Sequence, residues 1–281
     1  MSRSAAPSAP LLLIGGGLLA TLLVAGTFAP VLAPYDPRAL AGDSLLAPSA
    51  RHLLGTNNVG QDIFSQIIWG ARTSLVVALA SAALSIGVGL AVGAIAGLIA
   101  GWPEAAVMRV VDVFLAVPRL PLLVLVAALA GASLTSVVLV VGLLTWPVIA
   151  RQVRAQTRSL RERGYLTAAR GFGGGLGYLL RRHLVPALGP ILVSGFVAVA
   201  ANAVLLEASL AFLGLADPTG VSWGIILNQA LAEPGLYSSM LWTWWVLPAG
   251  FAITLAVLGF AFLGVGLEPM LNPRWRRAMA A

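Results

Sequence analysis

Long apolar segments alternate along the chain with shorter polar ones, and most of the apolar segments have about the length that a helix needs to cross a bilayer. About 20 predominantly apolar residues span the hydrocarbon core. Six segments approach or exceed this length, and they cover residues 11–32, 74–99, 110–129, 134–149, 191–213 and 243–267. The pattern therefore predicts an all-α membrane protein with six transmembrane helices, the third broken by Pro118 and Pro121.

The first apolar segment has two interpretations, a retained helix and a cleaved signal peptide. Its apolar run is longer than that of a signal peptide, and no compelling small-x-small site is followed by a soluble domain. We expect a retained helix. The expected organisation is then a tail with the first helix (1–33), an outer loop (34–72), a membrane core (73–275) that includes an inner loop (160–186), and a short tail (276–281).

Composition supports the membrane assignment and excludes several kinds of chemistry. Of the 281 residues, 59% are hydrophobic and only 10% are charged, whereas about a quarter of the residues of a soluble domain are charged. The absence of cysteine excludes disulfides, thiolate metal sites and cysteine nucleophiles. The net charge of +7 comes from arginines that we assign to membrane orientation and not to nucleic-acid binding.

The arginines also predict which ends face the cytoplasm. If the N-terminus is inside, fourteen of the seventeen arginines lie in or next to inner segments, and only Arg38, Arg51 and Arg72 lie outside. Positive residues concentrate on the cytoplasmic side of membrane proteins, so both termini are expected to be cytoplasmic. Four tryptophans of the outer half are expected in an interfacial belt: Trp223, Trp242, Trp244 and Trp245.

Residues that carry chemistry are few. His52 and His183 fall on opposite sides of the membrane in this topology and cannot share a metal, and no HExxH, GxSxG or Walker motif occurs.

Glu207 lies deep in the fifth span. It is either functional, as an ion or proton site or a gate, or structural, as a hydrogen-bonded lock between helices. We favour the lock, because one carboxylate without a relay partner makes a poor proton path. Arg109 and Asp112 are three residues apart and can pair on one helix face, although a solvated cytoplasmic pair is the simpler expectation.

Small residues are frequent in the spans. Gly87, Gly89, Gly93 and Gly97 recur at near-regular spacing in the second span, and an alanine-rich run covers residues 198–203. Small residues let helix backbones approach closely in lipid. The sequence leaves open whether this face packs against helices of a partner or within the chain.

The polar segment 151–186 interrupts the apolar pattern and carries eight of the arginines. Gly164 and the glycines at 173–175 divide it, which predicts a short helix over 165–172 and a second over 176–183 that Pro186 ends. Two short helices joined by glycines form a compact knob on the inner face. It suits contact with an acidic protein surface or, alternatively, with anionic lipid head groups.

This segment resembles the cytoplasmic coupling motif of bacterial ABC-importer permeases, which reads Glu-Ala-Ala, three residues, Gly, nine residues, Ile, one residue, Leu-Pro. The corresponding positions here are Thr167, Ala168, Ala169, Gly173, His183, Val185 and Pro186. Both alanines, the glycine and the proline match, whereas Thr167 stands in place of the glutamate. The histidine before the final proline is similar to the peptide-permease branch of the family.

Further segments resemble the same branch. They are LGTNNVGQD at 54–62, EASLAFLGL at 207–215, Ser-Trp-Gly at 222–224 and Asn-Pro-Arg at 272–274. Asn57 and Gln61 replace residues that are charged in the family. The resemblance covers about residues 50–275 and is to the second permease subunit of dipeptide, oligopeptide or nickel importers.

The resemblance implies a six-helix, type I ABC-importer transmembrane domain with a cytoplasmic coupling helix, in a bacterial cytoplasmic (inner) membrane. A second permease subunit completes the translocation path, two ATPase subunits bind the inner face, and an extracytoplasmic solute-binding protein delivers the solute. ATP hydrolysis then belongs to the partners, and this chain is expected to be no enzyme and to hold no cofactor or metal. The residues implied in coupling are Tyr165, Thr167, Ala168, Ala169, Gly173, His183 and Pro186.

Several alternatives stay open at this point. A nickel or metal-chelate permease carries the same motifs as a peptide permease. A stand-alone secondary transporter that uses Glu207 as its ion site is a different class, although no inverted repeat with paired broken helices is evident. A membrane enzyme would need a polar cluster at one membrane face, and a structural scaffold would lack ATP-dependent transport.

Overall fold

A computed structural model describes residues 8–99 and 101–271 of the chain, and within these ranges the fold is all-helical apart from one isolated bridge between Thr56 and Asp62. The helices are α1 (Ser8–Thr27), α2 (Ala29–Leu32), α3 (Ile63–Ile99), α4 (Trp102–Ala116), α5 (Arg119–Ala130), α6 (Leu134–Arg161), α7 (Gly164–Gly171), α8 (Leu176–Leu179), a π-helical turn π1 (Leu180–Leu184), α9 (Val185–Phe212), α10 (Trp223–Leu231), α11 (Leu241–Trp244) and α12 (Val246–Leu271).

Five helical segments of the described ranges are long and apolar enough to cross a membrane. They are α1, α3, α6, the continuous segment from α8 to α9, and the segment from α11 to α12. A sixth span is formed if α4 and α5 are counted together, although the chain bends by 92° between them. The prediction of an all-helical chain with apolar spans is therefore confirmed, and the predicted number of six is reached when α4 and α5 count as one broken span.

The bend follows from Pro118, which comes directly before the first residue of α5. Val117 has an extended backbone, with ψ of 133°, and Pro118 precedes the first residue of α5. A residue before proline is driven out of the helical region because the proline ring clashes with its backbone. The helix therefore has to stop at Ala116 and restart in a new direction.

Two helices extend well beyond the apolar segments that predict them. α3 begins at Ile63 and not near Ser74, and at ~1.5 Å per residue its 37 residues are longer than the hydrocarbon core is thick. α6 continues from the membrane to Arg161. Hydropathy marks only the part of a helix that lies in lipid, whereas the backbone hydrogen bonds continue as long as nothing interrupts them.

Glycines allow α3 and α6 to pack closely along most of their length. A β-carbon at Gly89 would lie 2.6 Å from Cβ of Ile149, and one at Gly97 would lie 2.7 Å from Cβ of Thr157. Gly93, between them, faces the backbone carbonyl of Ala150. The packing of these glycines is thus internal to the chain, whereas Gly87 is exposed and has no such neighbour.

α1 packs on the outside of this helix pair and against α12. A β-carbon at Gly15 would lie 2.5 Å from the backbone nitrogen of Leu263, and one at Gly26 would lie 2.8 Å from the backbone nitrogen of Arg72. Gly26 is buried one residue before the last residue of α1, so the outer end of α1 and Arg72 of α3 lie at the same level.

Candidate functional site

The inner knob, defined here as residues 162–184, stands on a base of leucines. Leu166 of α7, Leu179 of α8 and Leu184 of π1 are each no more than 3% exposed and belong to the main hydrophobic cluster of the chain. α7 ends at Gly171, where the amide of Gly174 donates to the carbonyl of Ala169. Gly173 has φ of +84°, a conformation that favours glycine, so the glycine turn sets the path from α7 to α8.

The top of the knob is apolar and faces outward. Phe172 is 93% exposed, and Tyr165, Leu176 and Tyr178 are each about half exposed. Thr167 and Ala168 are exposed as well, whereas Ala169 is half-buried. Large exposed apolar side chains concentrated in an otherwise polar segment are typical of an interaction site. Sequence reasoning did not single out Phe172, although a lone phenylalanine among glycines in an arginine-rich segment was the available signal.

His183 lies inside the knob. Its ring is 5.9 Å from that of Tyr165 and 5.4 Å from that of Tyr178, measured between centroids, and its Nε2 is buried without a hydrogen-bond partner in the described residues. It belongs to π1, and π-helical turns inside longer helices are frequent at functional sites. The imidazole ring of His183 thus packs against the rings of both Tyr165 and Tyr178 within the knob.

Pro186 does not end a helix, contrary to the sequence prediction. It lies in the first turn of α9, which follows π1 without a break. Proline is tolerated there because the first amides of a helix have no intrahelical acceptor. As a consequence, one continuous helical segment runs from Leu176 in the knob to Phe212 at the far end of the span.

Glu207 is buried near the outer end of this same helix. It is 2% exposed, its Oε2 accepts a hydrogen bond from the Ser74 hydroxyl of α3 at 3.1 Å, and the Ser222 hydroxyl bonds to it from the start of α10. We call Ser74, Glu207, Ser222 and Trp223 the outer junction. It joins α3, α9 and α10, which agrees with the interpretation of Glu207 as a lock.

Trp223 and two glycines complete the packing around the outer junction. The Trp223 indole is fully buried and donates to the carbonyl of Ile67 at 3.0 Å. A β-carbon at Gly70 would lie 2.8 Å from this indole, and one at Gly224 would lie 2.7 Å from Cα of Ala208. The expectation of an interfacial tryptophan belt is wrong for Trp223 and Trp245, which are both 0% exposed, because their rings fill the interior between helices.

The buried hydroxyls of the outer junction make Glu207 sensitive to substitution. Replacing Glu207 with leucine leaves Ser74 and Ser222 without this partner, and unpaired buried groups cost about 1–3 kcal/mol each. We expect Glu207→Leu to lower the thermal stability of the purified chain strongly. Glu207→Gln keeps an oxygen acceptor of the same shape, so we expect it to stay close to the wild type. Equal destabilisation by both changes would contradict the lock.

Ion pairs join α4 to the half of α6 that leads into the knob, and spacing along the sequence does not predict them. Asp112 pairs with Arg151 of α6 at 2.5 Å, and Glu104, which is buried, pairs with Arg154 at 2.6 Å. The suggested pairing of Asp112 with Arg109 is therefore replaced by one between helices. Arg109 is exposed on α4. The pairing depends on how α4 is rotated against α6, which spacing along one helix does not reveal.

The outer loop is held by neutral amides at the two positions where the resembled family has charges. The Asn57 amide donates to Oε1 of Gln61 at 2.8 Å, and Nδ1 of His52 lies 2.9 Å from Oδ1 of Asp62. Oδ2 of Asp62 accepts hydrogen bonds from the backbone N–H and the hydroxyl of Ser65. Asp62 thereby caps the start of α3. Asn57 and Gln61 therefore pair with each other without charge.

Known proteins share this arrangement of helices and motifs. Residues 89–277 match the family described as "Binding-protein-dependent transport system inner membrane component". A protein of Brucella suis named as a peptide permease is 42% identical over 92% of this chain and 85% of its own length. A glutathione transport system permease protein of Pectobacterium atrosepticum is 34% identical over 93% of this chain and 86% of its own length.

A solved structure has the same fold. A chain from an inward-facing conformation of the MetNI methionine ABC transporter aligns with a TM-score of 0.55, covering 74% of this chain and 96% of that one. The sequence identity in this alignment is 20%, so the likeness concerns the fold alone. The helical arrangement is that of an ABC-importer transmembrane domain.

Proposed function

The chain belongs to the family of binding-protein-dependent transport system inner membrane components, and from this premise we propose that it is one of two permease subunits of an ATP-driven peptide importer. The sequence has no phosphate-binding loop, so ATP hydrolysis is assigned to two partner ATPases. A second permease subunit forms the translocation path with this chain, and an extracytoplasmic binding protein delivers the solute.

The inner knob carries the proposal. Its leucine base fixes it to the membrane helices, whereas its aromatic top is exposed and has no cover within the described chain. A soluble ATPase can therefore bind the exposed apolar side chains of the knob, and the buried leucines transmit its motion to the membrane helices. Phe172 and Tyr178 supply the apolar contact, and Ala168 is small enough for close approach.

The continuous helical segment from the knob to the outer junction offers a path for the motion. When the ATPases close, they displace the knob, and the segment Leu176–Phe212 moves as one body because no break interrupts it. At its outer end, Glu207 ties this segment to α3 and α10. ATP binding thereby shifts the population between inward-open and outward-open arrangements by a rigid-body motion.

The names of the relatives favour a peptide as the solute. One group is named for peptides and another for glutathione, which is itself a tripeptide with one unusual linkage. Both kinds of relative align with more than nine-tenths of this chain. A short peptide is therefore the proposed cargo, and a nickel chelate is the second candidate.

Uptake by the complete complex tests the proposal. The chain is reconstituted in liposomes with its second permease, its ATPases and its binding protein, and uptake of labelled dipeptides, tripeptides and nickel chelates is measured. We expect ATP-dependent peptide uptake. Gradient-driven uptake by this chain alone would identify a secondary transporter, and ATP-dependent uptake of nickel without peptides would identify the other branch.

The proposed orientation places the knob in the cytoplasm and the outer loop outside. Because the chain has no cysteine, single cysteines report on the two faces without interference. We expect Phe172→Cys to react with an impermeant maleimide only in inside-out vesicles from which the ATPase subunits have been removed, and Val59→Cys, at a position that is 53% exposed, only in right-side-out cells. The reverse pattern would overturn the orientation.

A further inference from the structure

Two cavities meet at Arg72 on the outer half of the molecule. The first, about 250 Å³, lies between α1 and α3 and is lined mainly by Leu23, Leu75, Val76 and Leu79. The second, about 270 Å³, is polar and is lined by Asp36, Arg38, Trp69, Arg72 and Thr73 among others. Arg72 belongs to both linings, so the apolar groove and the polar cavity lie next to each other with Arg72 between them.

The depth of this site in the membrane follows from the packing of α1. Gly26, next to the end of α1, contacts the backbone of Arg72, so Arg72 lies where the first apolar span ends. The apolar groove extends from there along Leu75 and Leu79, within the apolar stretch of α3. The groove is thus at the depth of the acyl chains, and the polar cavity is at the depth of the head groups.

The charges of the site favour an anion at Arg72. Its guanidinium lies 5.9 Å from the ring centroid of Trp69, and it makes no ion pair with a described carboxylate. The positive charge of Arg38 acts on the Asp217 carboxylate. Asp36, whose Oδ1 accepts the backbone N–H of Arg38 at 2.8 Å, lines the same cavity.

Asp217 lies next to the cavity rather than in its lining. Hydrogen bonds from the side chain and backbone of Thr219 lower the pKa of Asp217, and the charge of Arg38 lowers it further. The Asp217 carboxyl is therefore ionised at neutral pH and offsets part of the charge of Arg38. Arg72 is left as a basic group of the site that makes no ion pair with a described carboxylate.

We propose that this site holds one anionic phospholipid of the outer leaflet. Its phosphate lies against the Arg72 guanidinium and next to the Thr73 side chain, and one acyl chain follows the groove past Leu75 toward Leu79. Only three of the seventeen arginines are assigned to the outer side, where positive residues are disfavoured, and two of them line this cavity. The bound lipid would explain why Arg72 is tolerated on that side.

A phospholipid fits the whole site better than a free anion does. Inorganic phosphate or glycerol phosphate uses only the polar half and leaves the groove beside Leu23 and Val76 empty. Both of these side chains are about half exposed in the chain, so an acyl chain also covers apolar surface there. The inference depends on the membrane-spanning helices and not on the proposed transport function.

Native mass spectrometry of the full-length chain, purified with the subunits that accompany it, tests the proposal. The protein is stripped of lipid and titrated with phosphatidylglycerol or with zwitterionic phosphatidylcholine. We expect one phosphatidylglycerol to bind in preference to phosphatidylcholine. Because a basic side chain near a membrane surface is worth about a fivefold change in anionic lipid binding, Arg72→Gln is expected to weaken phosphatidylglycerol by about that factor.

Two further variants separate this site from general surface charge. Arg51→Gln removes an exposed outer arginine that lines neither cavity, and it is expected to bind like the wild type. Val76→Trp fills the groove at a half-exposed position and is expected to weaken both lipids, while the melting temperature stays near that of the wild type.

Three results would overturn the proposal. One is equal weakening by Arg72→Gln and Arg51→Gln. Another is displacement of phosphatidylglycerol by equimolar glycerol phosphate, which would reduce the site to a free-anion cavity. The third is efficient crosslinking of Val76→Cys to an accompanying subunit, which would show that protein and not lipid covers the groove.

Discussion

Replacing Gly93 with leucine is expected to prevent the chain from folding stably. The β-carbon of any other residue at position 93 would run into the backbone carbonyl of Ala150 and lie 2.8 Å from Cβ of Val153. A backbone atom cannot move aside as a flexible side chain can, so α3 and α6 must separate. Overpacking of a close contact costs about 3 kcal/mol or more when the backbone has to shift, and we expect a large loss of folded protein in a thermal unfolding assay.

The matched control lies on the same helix. Gly87 is six residues earlier, and nothing lies within 4 Å of a β-carbon placed there. Gly87→Leu adds the same side chain to the same helix and is expected to leave the stability of the isolated chain near that of the wild type. If both variants unfolded alike, the loss would come from the leucine itself and not from the contact between α3 and α6.

Replacing Phe172 with aspartate is expected to remove most ATP-driven uptake while the chain still inserts and folds. Phe172 is 93% exposed at the top of the inner knob, so the change removes no contact that holds the fold. Truncating an aromatic anchor at the centre of an interface costs about 2 kcal/mol or more, which is at least about 30-fold in affinity. Binding of the ATPase subunits to the purified permease, and uptake in liposomes, measure the two consequences.

Two variants make this prediction specific to the apolar top of the knob. Phe172→Leu keeps an apolar side chain and is expected to retain much of the uptake. Val59→Asp introduces the same carboxylate at an exposed position of the outer loop and is expected to leave ATPase binding unchanged. Normal binding and uptake by Phe172→Asp would remove Phe172 from the proposed interface, and the coupling role would have to lie elsewhere on the knob.

The outcome at the inner knob shows where sequence reasoning stops. Glycines at 173–175 predict the break after the first short helix, and the structure has it between α7 and α8. Pro186 predicts an end to the second helix, yet the helix continues, because proline is compatible with the start of α9 as well as with the end of a helix. A proline can follow the last turn of one helix or lie in the first turn of the next, and the residue type alone does not tell which of the two positions it occupies.

The buried polar groups show the same limit. The low hydropathy of Glu207 within an apolar span identifies it as a costly residue that needs a partner. The partners, Ser74 and Ser222, are distant in the chain and become neighbours only where α3, α9 and α10 cross. Asp112 likewise finds Arg151 on another helix, although Arg109 lies closer in sequence.

The amino-acid pattern alone predicts which segments lie in lipid and which lie in water. Apolar length defines the spans, Pro118 defines the break, and the arginines and glycines define a polar knob, because burial in lipid and backbone freedom act on each residue locally. The tertiary structure decided which face of each helix meets which neighbour. Gly93 packs and Gly87 does not because of the rotation of α3 against α6, a property of two helices together that no single segment encodes.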